Sequence, residues 1–151
     1  MRCRTIDSLS LYPSYMGLQE GEFDKSTSDP QVEIWVTQMG SWANMNTAFI
    51  DRENQVVVIV DPFDGEAWIA ALKHENLVPS HILLTHTHRD HTMGVKAIRN
   101  AYPEVEVWGH EESVSPSLFG RIIFRRTDFT HVWNHAPNQI ETWKCGSIEL
   151  S

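Results

Sequence analysis

The sequence predicts an α/β fold, and three observations carry that prediction. Val56-Val57-Val58-Ile59-Val60 is an unbroken β-branched run, the pattern of a strand covered on both faces. Strand-like and helix-like stretches then alternate as strand, helix, strand, helix, strand, which implies parallel strands joined by right-handed crossovers. Finally, the apolar run Ile82-Leu83-Leu84 is followed at once by His86, His88, Asp90 and His91. A buried strand therefore ends where a dense set of metal-ligating side chains begins, at the carboxyl edge of a sheet.

Residues 1–30 are weakly patterned. Leu9, Leu11, Tyr12 and Tyr15 suit a packing strap, and Glu20 to Pro30 a polar connector, leaving 31–151 as one domain. Val32, Ile34 and Val36 alternate with Glu33, Trp35 and Thr37, which predicts a half-buried strand. Met39 to Asn44 is a loop. Asn46 to Asp51 and Gln55 to Val60 are the next strands, with Asp51-Arg52-Glu53-Asn54 as the turn between them. The third strand stops at Asp61-Pro62. A helix from about Glu66 to His74 follows, with Trp68, Ala71 and Leu72 on one face.

Pro79 breaks the chain before a strand over His81 to Leu84. Beyond the ligand cluster, Val95, Ile98 and Tyr102 form the apolar stripe of a second helix, which Asn100 and Pro103 end. Val105 and Val107 alternate with Glu104 and Glu106 as another strand. Ser113 to Thr130 resists placement. Arg121, Arg125 and Arg126 could meet an anion, but a solvated helix face accounts for them more simply. His131 and His135 stand four apart, yet Pro137 and its polar neighbours favour loop histidines over ligands. His110 stays ambiguous, while His74 and His81 read as helix-end and strand-start residues. Ile148-Glu149-Leu150 opens a further strand.

Composition narrows the function. The chain has 151 residues, enough for one domain with a substantial core. A formal net charge of −8 disfavours nucleic acid as a partner, because phosphate neutralisation needs clustered Lys and Arg. No apolar run approaches the roughly 20 residues of a membrane span, and the segment after Met1 lacks the apolar centre of a secretory signal. Cys3 and Cys145 match no metal or redox spacing, so they are expected as reduced thiols in a cytoplasmic protein.

The cluster carries the chemistry. Side chains at i and i+2 of an extended segment point the same way, so His86 and His88 can grip one ion. Asp90 and His91 are adjacent; if a helix begins at Asp90, that pair can face a second ion. Imidazole suits zinc, iron, copper or nickel, and the carboxylate extends the choice to manganese. Two such ions roughly 3.5–4 Å apart can hold a bridging hydroxide and polarise a carbonyl. Thiolate is absent, which argues against a closed structural zinc site. A lone histidine at a strand end is usually a satisfied core or surface residue, but four ligand types in six positions are not explained that way.

The run His86-Thr87-His88-Arg89-Asp90-His91 resembles the H-x-H-x-D-H signature of the metallo-β-lactamase superfamily, and its context is closest to glyoxalase II-like proteins, the hydroxyacylglutathione hydrolases. Asn46 to Ile50 looks like their early strand, Val60-Asp61-Pro62 like their strand-ending Asp, Thr85 to Gly94 like their metal loop, and Val105 to Gly109 like the strand after it. The likeness spans roughly residues 32–151. It implies the first half of an αββα sandwich and two divalent metal ions, zinc first, with iron or manganese as alternatives. His86 and His88 would bind the first metal, Asp90 and His91 the second, and Asp90 is also the catalytic candidate. Asp61 would brace the ligand loop by hydrogen bonds. The implied activity is hydrolysis of a thioester, ester or lactone-like bond in a small-molecule substrate by a metal-bridging hydroxide.

Such proteins place a further His shortly after the strand that Ile148 starts, then a bridging Asp and another His. None of these is found up to Ser151, nor are the second half of the sandwich and the helical region that binds glutathione. The chain is accordingly expected to be an N-terminal portion of a longer enzyme, weakly metal-binding and inactive alone. Self-association through an uncovered sheet face is also expected. The competing expectations are a single-iron sulfur dioxygenase of the same superfamily and a non-catalytic half-domain acting by association.

Overall fold

A computed structural model describes residues 21–25, 30–110, 129–133 and 142–151, with only the backbone at His110. The expected strap residues, Cys3, the three arginines and His135 lie outside these residues. Nine strands and three helices are described: β1 (Phe23–Asp24), β2 (Glu33–Met39), β3 (Asn44–Asp51), β4 (Val56–Val60), α1 (Gly65–His74), β5 (His81–Leu83), α2 (Arg89–Thr92), α3 (Val95–Ala101), β6 (Glu106–His110), β7 (His131–Trp133), β8 (Trp143–Cys145) and β9 (Ile148–Leu150). Strands β1 to β7 form one sheet in sequence order. Pairing is antiparallel from β1 to β4 and parallel from β4 to β7, with α1 linking β4 to β5 and α2 and α3 linking β5 to β6.

The helices cover one face. Trp68, Ile69 and Leu72 of α1 and Val95 and Ile98 of α3 pack with Trp35, Ala48, Ile50, Val57, Ile59, Ile82 and Val107 of the sheet. Asp64 caps α1, its Oδ1 accepting from the backbone N–H groups of Glu66 and Ala67 at 3.0 and 3.1 Å. The two helices meet backbone to backbone: a Cβ on Gly94 would lie 2.7 Å from Gly65 N and 2.8 Å from Pro62 O. Glycine at 65 and 94 thus lets the metal loop close against the end of β4.

On the opposite face, Val32, Val56, Val58 and Leu83 pack with Ile148 of the β8–β9 hairpin. The face expected to lie bare therefore carries these two strands. Asp51, at the end of β3, fastens the hairpin: its Oδ2 accepts from Ser147 N and Asn54 Nδ2, each at 2.7 Å.

Three expectations are corrected. β2 is buried on both faces rather than half-buried, with Ile34 and Trp35 both essentially inaccessible, because helices and Phe23 cover the side that bears Trp35. Phe23 is part of an edge strand within the expected polar connector; its ring meets Trp68 edge to face at 5.0 Å. His131 is no loop residue. It opens β7, and its ring stacks on Trp108 at 4.5 Å, so pairing to β6 overrides the turn-forming residues downstream.

Candidate metal centre

The metal loop is Leu84 to Gly94, between β5 and α3. It is held from below by the turn after β4. Asp61 adopts φ 50, a left-handed conformation that costs a non-glycine residue roughly 1–2 kcal/mol. The bend swings the carboxylate under the loop. Asp61 Oδ1 accepts from Thr85 N at 2.8 Å, and Oδ2 accepts from Thr85 Oγ1 at 2.5 Å. The Asp61 backbone N–H donates to Leu83 O at 3.1 Å, and Gly94 N donates to Pro62 O at 2.8 Å. Both ends of the loop are thus pinned to the Asp61-Pro62 corner.

Three imidazoles converge above that corner. The rings of His86 and His88 have centroids 4.5 Å apart, and those of His86 and His91 4.0 Å. The i, i+2 placement of His86 and His88 brings their rings together, as an extended segment should. Arg89 begins α2, so the chain turns helical at the expected point and sets Asp90 beside His91. Asp90 Oδ2 lies 3.4 Å from His91 Nε2, and His91 Nδ1 lies 3.0 Å from Asp61 Oδ2.

Ligand atoms of Asp61, His86 and His91 all lie within 4.8 Å of one another, close enough for a metal ion. Asp61 is the least free of these to act as a ligand, since Thr85 already donates to both its oxygens. The Asp90–His91 distance also fits an ion: two donors about 2.0–2.1 Å from a tetrahedral centre stand about 3.4 Å apart.

Burial favours the neutral form of His86. Burial holds the His86 ring below its usual pKa; the neighbouring His91 and His88 act in the same direction, and Asp61 and Asp90 oppose them. For Asp90, burial pushes the carboxyl up. The Asn44 hydrogen bond, its own backbone N–H and the imidazoles of His91 and His88 outweigh that and hold it below the ordinary carboxylate value. A deprotonated Asp90 carboxylate and a neutral His86 imidazole are the forms that bind metal.

The sequence reading missed three supporting residues. Thr85 supplies the two donors to Asp61. Asn46, fully buried, accepts from Phe63 N at 2.7 Å and from the Trp68 indole at 3.4 Å, fixing the chain beyond the corner. Asn44 donates through Nδ2 to Asp90 Oδ2 at 2.9 Å. No local sequence signal marks them, because each meets these partners 17 or more positions away.

Comparison with known proteins agrees with this geometry. The profile of the Metallo-beta-lactamase superfamily matches residues 41–144. The hydroxyacylglutathione hydrolase of Xanthomonas euvesicatoria pv. vesicatoria is 42% identical over 60 residues, covering 40% of this chain and 24% of that protein. The hydroxyacylglutathione hydrolase of Cronobacter sakazakii is 45% identical over 58 residues, covering 38% and 23%. The matched stretch thus spans about a quarter of these curated relatives. Among solved structures, BLEG-1 B3 metallo-beta-lactamase superposes with a TM-score of 0.60 at 26% identity, over 77% of this chain and 58% of that one. DIM-1 metallo-beta-lactamase, at 11% identity and a TM-score of 0.54, shares the fold alone over 79% and 53%.

Proposed function

Because the chain belongs to the metallo-beta-lactamase superfamily, we propose that it forms the first half of a metal-dependent hydrolase acting on a thioester, ester or lactone-like bond. The observation that carries this reading is the grouping of Asp61, His86 and His91 ligand atoms within 4.8 Å of one another, with His88 against His86 and Asp90 against His91 on the same loop. The similarity to hydroxyacylglutathione hydrolases favours a thioester.

In this reading His86 and His88 hold one ion and Asp90 and His91 another, with zinc the metal best matched to imidazole and carboxylate donors. When bound, such a pair of ions activates water for attack and polarises the scissile carbonyl. The protein's own residues set the stage for that chemistry. Asp61 Oδ2 stands 3.0 Å from His91 Nδ1, on the side of the ring away from the Nε2 that would ligate. Thr85 holds Asp61 in place, and Asn46 holds the chain beyond it.

The test is hydrolysis by the full-length protein loaded with zinc, iron or manganese, assayed against panels of thioesters, lactones and β-lactams. Turnover of one class names the bond. No turnover in any panel overturns the reading, and oxygen consumption with a thiol-derived substrate in its place redirects it to sulfur oxidation.

A further inference from the structure

Resting on the reading that Asp90 holds an ion, we propose that Asn44 is the positioning residue for the Asp90 carboxylate. Helix α2, which carries Asp90, has only four residues and buries none of them. Core packing of α2 therefore does little to select the Asp90 rotamer. The sheet does so instead, through one side chain.

Asn44 opens β3, where it pairs with Met39 of β2. It follows Ala43, whose φ of 51 closes the tight turn between the strands. Its own carbonyl accepts from Asn46 Nδ2 at 3.2 Å, so a buried amide steadies the backbone from which the side chain reaches. Asn44 Nδ2 then donates to Asp90 Oδ2 at 2.9 Å, with Asp90 O at 3.4 Å as a second acceptor. Carboxylate and peptide carbonyl of one residue are gripped by one amide, which restrains both its backbone and its χ1.

The choice of amide has a chemical reason. A lysine or arginine there would neutralise the carboxylate and weaken its hold on a cation. An amide N–H orients Oδ2 without adding charge, and it takes only one of that oxygen's two lone pairs. The other remains for the ion that His91 Nε2, 3.4 Å away, would share.

Zinc affinity of the full-length protein, measured by competition with a chromophoric chelator, tests this through a double-mutant cycle. Asn44→Ala is expected to weaken zinc binding by about 10–100-fold, the usual effect of losing a hydrogen-bond partner of a ligand. Asp90→Ala should weaken it at least as much, and Asn44→Ala added to Asp90→Ala should change nothing further. A merely structural role would lower the melting temperature and act equally in both backgrounds, which would overturn the proposal. So would an Asn44→Ala protein with unchanged affinity while Asp90→Ala loses it. If Asp90→Ala itself binds zinc normally, the site reading fails first. Should Asn44→Ala not fold, the unsubstituted protein decides: the Asn44 side-chain amide protons must exchange slowly and shift on adding zinc. Fast exchange without a shift overturns the proposal.

Discussion

His91 Nδ1 lies 3.0 Å from Asp61 Oδ2, and Asp61 occupies a left-handed backbone conformation that places its carboxylate there. The pair joins the end of β4 to the start of the second expected metal position. Asp61→Ala removes the acceptor of both Thr85 donors and the carboxylate beside His91, so zinc affinity should fall about 10–100-fold. Competition titration measures this. Wild-type affinity in the variant would mean that the strained corner serves only the fold.

His88 shares the metal loop with His86, its ring centroid 4.5 Å away. Replacing His88 with Ala in the full-length protein should reduce hydrolysis to background and remove one of the bound ions, as metal analysis would report. A near-normal rate would remove His88 from the site.

Gly94 illustrates how packing and site are coupled. A Cβ there would press on Gly65 N and Pro62 O, backbone atoms that cannot swing aside. Gly94→Ala should cost about 1–3 kcal/mol of stability by overpacking. It should also weaken zinc binding, because Gly94 N anchors the loop to Pro62 O. Denaturant unfolding and zinc titration on the same variant separate the two effects; no change in either would show that the corner yields readily.

Thr37 is wholly buried in β2, and its hydroxyl has no hydrogen-bond partner among the described residues. An unpaired buried hydroxyl costs roughly 1–3 kcal/mol, whereas a methyl of the same shape costs nothing to desolvate. Thr37→Val should therefore leave stability unchanged or raise it by up to about 1 kcal/mol, read as a higher urea midpoint at constant m. A clear loss would reveal a partner for the hydroxyl.

Much of this architecture was legible because it is local. Val56 to Val60 announces a doubly covered strand, Trp68 and Leu72 the buried face of α1, and four ligands in six positions a metal loop. What escaped is made of long-range pairs or of elements too short to show a period. Phe23 sits in a two-residue strand. Asn44 meets Asp90 across 46 positions, and Asp51 meets Ser147 across 96. His131 was misplaced because nearby Pro137 spoke for a loop, while the pairing that makes it a strand residue comes from β6.

Asp51 should make stability fall in mild acid. Burial alone would raise its pKa, but hydrogen bonds from the Asn54 side chain and backbone and from Ser147 hold it down to about 2, against an ordinary 3.8. A carboxylate with a depressed folded-state pKa contributes stability that is complete above the unfolded value and lost as pH falls through the folded one. The window therefore runs from about pH 4 down to about pH 2, and the shift corresponds to about 2 kcal/mol. In Asp51→Asn the amide presents a donor where the carboxylate accepted from Ser147 N, so at pH 7 the hairpin loses its clasp. Urea unfolding at pH 7 should find the variant less stable by about that amount, and the difference should shrink steadily as both proteins are taken toward pH 2. A difference that stays constant across this range would mean that the Asp51 charge contributes nothing to docking the β8–β9 hairpin on the sheet.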